Sequence, residues 1–198
     1  LLRTDAWKAR IDWAHTRVFW VDERCVASDD PASNYGVANR ELLAHVPAAE
    51  IYPMDGEIDP GESAVAYEEV LREQVPAEEG GPRLDCALLG MGDDGHIASL
   101  FPGSPLLEPD ALGSGRLTGA AVARHLEPRP ESRRITLSLP MINASRCCLF
   151  LATGEGKRTR LRQALDVLAP AELPVQRVRP EDGELIWVAD EAACGDGR

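Results

Sequence analysis

The stretch that decides the fold is residues 84–105, LDCALLGMGDDGHIASLFPGSP. Its apolar core, Ala87, Leu88 and Leu89, is short and bounded by glycine, as a buried strand is. The strand runs into a glycine-rich loop, and the loop carries His96 to what reads as the start of a helix. Gly90, Gly92 and Gly95 also spell G-x-G-x-x-G. A dinucleotide fingerprint needs an acidic residue at a strand end about twenty residues further on. Here that position falls among prolines around Glu108 and Asp110, and Asp93 and Asp94 inside the loop would repel a pyrophosphate. The glycines are instead read as permitting a tight turn and the close approach of a substrate.

Working outward, strand-like runs alternate with helical patterns, which predicts an α/β fold with a largely parallel sheet. Residues 17–21, RVFWV, form an aromatic and β-branched strand that stops at Asp22-Glu23-Arg24. Ser33 caps a helix carrying Ala38, Leu42 and Val46 on one side, ended by Pro47. Asp59-Pro60-Gly61-Glu62 resembles a capping box with proline at the first helical position. The helix it opens presents Tyr67, Val70, Leu71 and Val75 on one face. Residues 102–131 read as a surface connection with one short strand near residues 120–123. Residues 134–139, RITLSL, alternate like a half-buried strand, and residues 147–152, CCLFLA, read as another, fully apolar strand. After the turn at 154–157, Leu161, Ala164, Leu165 and Leu168 keep helical spacing, and runs at 175–178 and 185–188 complete the sheet or its edge. The 198 residues suffice for a single domain spanning 1–198.

The formal net charge of −12 argues against nucleic acid and anionic membranes as partners. It leaves room for a small anion, because local cations override the global field within a Debye length of about 8 Å. There are five cysteines and no C-x-x-C pair, which points to a cytoplasmic protein without structural disulfides. The four histidines, His15, His45, His96 and His125, show no metal-ligand spacing.

Three strands end in three polar loops: residues 22–24, 90–96 and 154–157. In open α/β sheets ligands bind beyond the carboxyl ends of the strands. If the strands are parallel neighbours, the loops gather Asp22, Arg24, Asp94, His96 and Lys157 at one site. An imidazole, whose unperturbed pKa is about 6.5, suits a general base near neutral pH. The inventory holds a titratable base, two cations and backbone N–H donors, but no evident Ser or Cys nucleophile and no metal set. It fits hydrolysis or proton transfer on a small anionic molecule. Asp94 stands two residues from His96, where it either orients the imidazole or caps the loop. Arg24 has the planar fork that suits an anion, and Lys157 opens a helix where a phosphate is favoured. Surface pairing is the alternative for Asp22, Arg24 and Lys157.

These residues carry a family resemblance. Val21-Asp22-Glu23-Arg24, then Ser33-Asn34-Tyr35, GMGDDGHIASLFPGSP, Arg134-Ile135-Thr136-Leu137, the Gly154-to-Lys157 turn and the closing ELPVQRVRPEDGELIWVAD together resemble the 6-phosphogluconolactonases. The resemblance implies a Rossmann-like three-layer α/β/α sheet related to glucosamine-6-phosphate deaminase. It also implies hydrolysis of 6-phospho-D-glucono-1,5-lactone to 6-phospho-D-gluconate in the oxidative pentose phosphate pathway, without metal or cofactor. His96 takes the family's catalytic position, with Asp94 as its orienting partner. Asp22, Arg24, Gly92, Arg134 and Lys157 become substrate-binding residues, Asp22 through a sugar hydroxyl. The partner expected is a small phosphorylated sugar lactone bound by a monomer or homodimer.

Family members begin with a helix, a strand and a Gly-Gly-Ser-Thr-Pro type phosphate loop that this sequence lacks, so about 50 residues are expected to be missing before Leu1. Without that strand and loop, the chain on its own is expected to be poorly stable and weakly active. Two rivals remain. An amino-sugar phosphate deaminase of the same superfamily carries a glutamate after the histidine, whereas this chain has no carboxylate between His96 and Glu108. A non-catalytic sugar-phosphate-binding protein would share the fold.

Overall fold

A computed structural model describes residues 4, 9–47, 50–108, 116–122, 132–166, 172–180 and 182–195. The chain opens with β1 (Arg17–Phe19), which pairs in parallel with β3 (Glu50–Tyr52). The expected strand over 17–21 breaks after Phe19. The reason is Tyr67, whose hydroxyl accepts from the Trp20 amide at 2.8 Å and donates to the Trp20 carbonyl at 3.3 Å. A strand cannot keep pairing where a side chain takes both its backbone groups. The chain then turns into β2 (Asp22–Arg24), so these three residues form a strand rather than the expected loop.

Between β2 and β3 lies α1 (Asn34–Glu41), capped as expected by the Ser33 hydroxyl, which accepts from the Gly36 amide at 2.9 Å. It ends at Glu41, and a short 3-10 turn at Leu43–His45 covers the rest of the expected helix. The longest helix, α2 (Pro60–Gln74), is capped by Asp59 Oδ1, which accepts from Gly61 and Glu62. Its buried face includes Tyr67 and Leu71, with Val75 buried at its end. A small hairpin of β4 (Ala77–Glu78) and β5 (Gly81–Pro82) leads to β6 (Ala87–Gly90).

Beyond β6, β7 (Thr118–Val122) pairs antiparallel with β8 (Arg133–Leu137), and β8 pairs antiparallel with β2. This three-stranded sheet, in the order β2-β8-β7, was not expected from a largely parallel reading. Residues 134–137 of β8 are buried on both faces rather than alternating. The reason is that α2 packs against this sheet, with Thr118 donating to the Ala64 carbonyl at 2.5 Å. After α3 (Leu139–Asn143) come β9 (Cys147–Ala152), α4 (Arg158–Leu165), β10 (Glu184–Ala189) and α5 (Glu191–Cys194). β6, β9 and β10 form a parallel sheet in the order β10-β9-β6. The expected strand over 175–178 is instead a 3-10 turn, Pro174–Arg177, while the strand expected over 185–188 lies within β10. Leu168, expected on the helix after 157, lies outside the described residues, as does residue 123.

One face of the parallel sheet enters the core through Leu89, Cys148, Phe150 and Ala152, joined by Leu71, Ile97, Leu100, Ile135, Leu137 and Ile142. Burying each large side chain contributes about 1.5–3 kcal/mol. The opposite face presents Leu88, Leu151, Ile186 and Val188, all exposed. Because β6 and β9 are parallel neighbours, the loops after them leave from the same end of the sheet. That places residues 90–96 beside 154–157.

Candidate active site

The loop after β6 is folded on itself. The Gly92 amide donates to the His96 carbonyl at 2.8 Å, and the Gly95 amide donates to the Gly92 carbonyl at 3.0 Å. Asp94 Oδ1 accepts from the His96 amide at 3.0 Å and stands 2.6 Å from His96 Nδ1. Partial burial pushes the Asp94 carboxyl up, but the His96 amide and imidazole outweigh that and hold it below the usual carboxylate range. In a neutral imidazole the carboxylate therefore fixes Nδ1 as the proton-bearing nitrogen and Nε2 as the unprotonated one. Phe101 lies against the imidazole with ring centroids 4.6 Å apart. The His96 side chain keeps 28% exposure, enough for a water or a substrate to reach it.

Two glycines make this geometry possible. A Cβ at Gly92 would lie 2.1 Å from His96 Nδ1 and 2.8 Å from Asp94 Oδ1, so only glycine leaves room for the imidazole–carboxylate pair. Gly95 sits at φ +86 with Leu173 against it, a conformation that disfavours a side chain. After His96 the chain does not enter the expected helix. Ile97 and Leu100 close a turn through reciprocal backbone bonds, with Ala98 at φ +45. The amides of Gly92, Gly95 and His96 are spent inside the loop, which narrows the N–H groups able to face a reacting oxygen.

Two sets of charged groups flank the loop. Lys157 Nζ reaches Asp93 Oδ1 at 2.5 Å, and Arg160 Nε donates to the Asp93 carbonyl at 2.9 Å. Lys157 holds the Asp93 carboxyl below its ordinary range through a hydrogen bond and its charge. On the antiparallel sheet, Arg24 and Arg134 are direct register partners, and Asp22 faces Thr136. Burial first, and the nearby Arg24 guanidinium second, hold Arg134 below the ordinary range for arginine. Arg24 donates to the Ala32 carbonyl at 2.6 Å, while its buried Nε finds no hydrogen-bond partner among the described residues. Arg134 is buried and Arg24 half-buried, and the carboxylates of Asp22 and Glu23 offset part of the repulsion between the two guanidiniums. Among the described residues, no three His, Cys, Asp or Glu side chains gather to hold a metal ion.

Residues 1–187 match the family model described as glucosamine-6-phosphate isomerases/6-phosphogluconolactonase. The chain belongs to that family. It is 38% identical over 196 residues to the probable 6-phosphogluconolactonase 1 of Arabidopsis thaliana, covering 92% of this chain and 70% of that protein. It is 38% identical over 192 residues to the 6-phosphogluconolactonase of Mycobacterium bovis, covering 93% of this chain and 74% of that one. Among solved structures it resembles 6-phosphogluconolactonase from Trypanosoma brucei with a TM-score of 0.75 at 28% identity, over 87% of this chain and 71% of that chain.

Within this family's fold, the residues expected from sequence fall into two groups. Gly92, Asp94, His96 and Lys157 come together around the loop after β6. Asp22, Arg24 and Arg134 come together on β2 and β8, on an antiparallel sheet rather than at a parallel strand's carboxyl end. Ser99 joins the two groups: its hydroxyl donates to Asp22 Oδ2 at 2.6 Å and its amide to Thr136 Oγ1 at 3.2 Å. Sequence reasoning assigned nothing to Ser99, Thr136, Phe101 or Arg160. Ser99 and Phe101 stood inside the quoted loop motif, but nothing in their spacing showed where their side chains reach. His45 and His125 were assigned nothing; His45 Nε2 lies 3.0 Å from the Arg40 carbonyl, and His125 lies outside the described residues. No helix among the described residues is long and apolar enough to cross a membrane.

Proposed function

We propose that this chain hydrolyses 6-phospho-D-glucono-1,5-lactone to 6-phospho-D-gluconate, the lactone-opening step of the oxidative pentose phosphate pathway. The observation that carries the reading is the Asp94–His96 pair, held at 2.6 Å over a glycine with no room for a side chain. With Nδ1 committed to Asp94, Nε2 removes a proton from water as the water oxygen bonds to the lactone carbonyl carbon. The tetrahedral oxyanion then collapses, the bond from that carbon to the ring oxygen breaks, and the imidazolium returns its proton to the departing oxygen. The new carboxylic acid loses its proton to solvent, and His96 ends neutral.

Arg24, Arg134 and Lys157 are read as the cations that hold the phosphate. The partly buried Arg24–Arg134 pair supports this most directly, because an anion there lowers the cost of keeping both charged. Gly92 supports the loop against the substrate without intruding. Asp22 stands differently: Oδ1 accepts from Asn34 and Oδ2 from Ser99. We read residues 1–198 as one domain, acting in the cytoplasm as a monomer or homodimer, with no nucleic acid or membrane partner.

The test is His96→Ala, assayed for lactone loss with the spontaneous rate subtracted. A drop of about 10²–10⁴-fold in kcat is expected from losing a general base. Undiminished hydrolysis would sink the assignment.

A further inference from the structure

We infer that Ser99 is a positioning residue that fixes His96 by tying its loop to the antiparallel sheet through Asp22 and Thr136. The inference rests on His96 being the base proposed above. Ser99 follows His96 by three residues in the turn closed by Ile97 and Leu100, and all three of these turn residues are fully buried. A hydroxyl at such a depth is costly unless it is bonded, and here both polar groups of Ser99 are used. Its Oγ donates to Asp22 Oδ2 at 2.6 Å, and its amide donates to Thr136 Oγ1 at 3.2 Å.

The two acceptors are themselves held rigidly. Asp22 and Thr136 are register partners on β2 and β8, so they grip Ser99 from one rung of the ladder. Thr136 spends its own proton on the Leu137 carbonyl at 3.1 Å, which leaves its oxygen turned to accept from Ser99. Asp22 Oδ1 accepts from Asn34 Nδ2 at 3.1 Å, so the carboxylate is fixed from both sides. The turn also holds Ala98 at φ +45, which a non-glycine residue adopts only when its surroundings impose it. Ser99 on one side and Asp94 on the other thus bracket His96. In this arrangement Asp22 acts through Ser99 rather than on a sugar hydroxyl.

The experiment compares Ser99→Ala, Asp22→Ala and the double variant in this chain, reading kcat, KM and the His96 ring ¹H–¹⁵N resonances. A displacement near 1 Å costs on the order of 10²-fold in rate, so each single variant should lose ~10- to 100-fold in kcat with KM within about twofold. The double variant should be no worse than the poorer single one, because the two residues act as one unit. The His96 ring resonances should shift in both. Ser99→Ala with kcat within twofold of the parent overturns the inference. So does a raised KM at constant kcat, which would mark substrate contact, or losses that multiply in the double variant. If Ser99→Ala does not fold, Thr136→Val removes the amide's acceptor, together with the Thr136 bond to the Leu137 carbonyl, and must reproduce the kcat loss and the shift of the His96 ring resonances. If His96→Ala leaves hydrolysis undiminished, the base assignment alone fails. The ring resonances then decide the positioning, and their staying unchanged in Ser99→Ala overturns it.

Discussion

Gly92→Ala should abolish most catalysis while leaving the fold intact. The added Cβ would stand 2.1 Å from His96 Nδ1, 2.2 Å from Cε1 and 2.8 Å from Asp94 Oδ1. Ordinary contacts between such atoms begin near ~3.5 Å, so no small adjustment accommodates the methyl and the imidazole must leave. Gly92 does not sit at positive φ, so alanine meets no backbone penalty and the clash with the His96–Asp94 pair is the perturbation. With its side chain 28% exposed, His96 can swing toward solvent, and the thermal midpoint should fall by only a few degrees. Losing the hydrogen bond to Asp94 costs about 1.5–3 kcal/mol, which corresponds to ~10- to 100-fold in rate. Removing the base altogether costs about 10²–10⁴-fold, and the observed kcat loss should fall in that upper range. The assay follows lactone disappearance with the spontaneous rate subtracted, beside His96→Ala and the double variant. The three should be equally impaired. A Gly92→Ala enzyme retaining more than a third of parental kcat would refute the reasoning.

Asp94→Asn keeps the shape of the loop but replaces the charged partner of His96 Nδ1, and kcat should drop ~10- to 100-fold with little change in KM; an unchanged kcat would leave Asp94 as a loop cap only. Arg24→Ala should raise KM ~10- to 100-fold with kcat within a few-fold, the signature of lost ground-state binding, and should weaken competition by inorganic phosphate; a pure kcat effect would contradict the phosphate reading. Glu68 links α2 to the segment before β7 through Arg116 and the Leu117 amide, and pairs with Arg72 one turn along the same helix. Burial pushes its carboxyl up, but these bonds hold it below its usual value of 4.5, so its stabilisation is complete above pH 4.5 and is lost as pH falls through the lower folded value. Glu68→Gln should therefore cost about 1–3 kcal/mol at neutral pH and flatten the acid limb of the stability profile; an unaltered acid limb in denaturant titrations would count against it.

The loop and its histidine were legible because glycine, aspartate and histidine at fixed spacing report local backbone chemistry. The caps at Ser33 and Asp59 were legible for the same reason: each side chain acts within three residues of itself. What escaped notice was long-range. The break in β1 depends on Tyr67, whose hydroxyl reaches Trp20 across 47 residues of sequence. The strand at Asp22–Arg24 depends on pairing with Arg133–Leu137, and no local pattern encodes that choice. A buried RITL segment flanked by a helix and two strands reads as half-buried when its neighbours are unknown. Ser99 belongs to this class too, since its bond to Asp22 spans 77 residues. In the family resemblance Asp22 and the histidine loop entered as separate motifs, and only the fold joins them.

The charge of the chain and the charge of the site oppose each other, and the opposition favours turnover. A formal net charge of −12 repels anions at long range, yet Arg24 and Arg134 pair across β2 and β8, and Lys157 stands beside the histidine loop. A phosphate monoester carries about −1.5 to −2 at neutral pH, and that charge is the same before and after hydrolysis. If these cations hold the phosphate as proposed, they hold it in substrate and product alike. Ring opening adds a carboxylate, which in the proposed binding mode lies beside His96 and its partner Asp94, whose carboxyl is held below its usual range. The new negative charge meets a carboxylate at close range and the net field of the chain beyond it. Only the product carries this second charge, so in the binding mode proposed above repulsion from Asp94 would favour its release over that of the substrate.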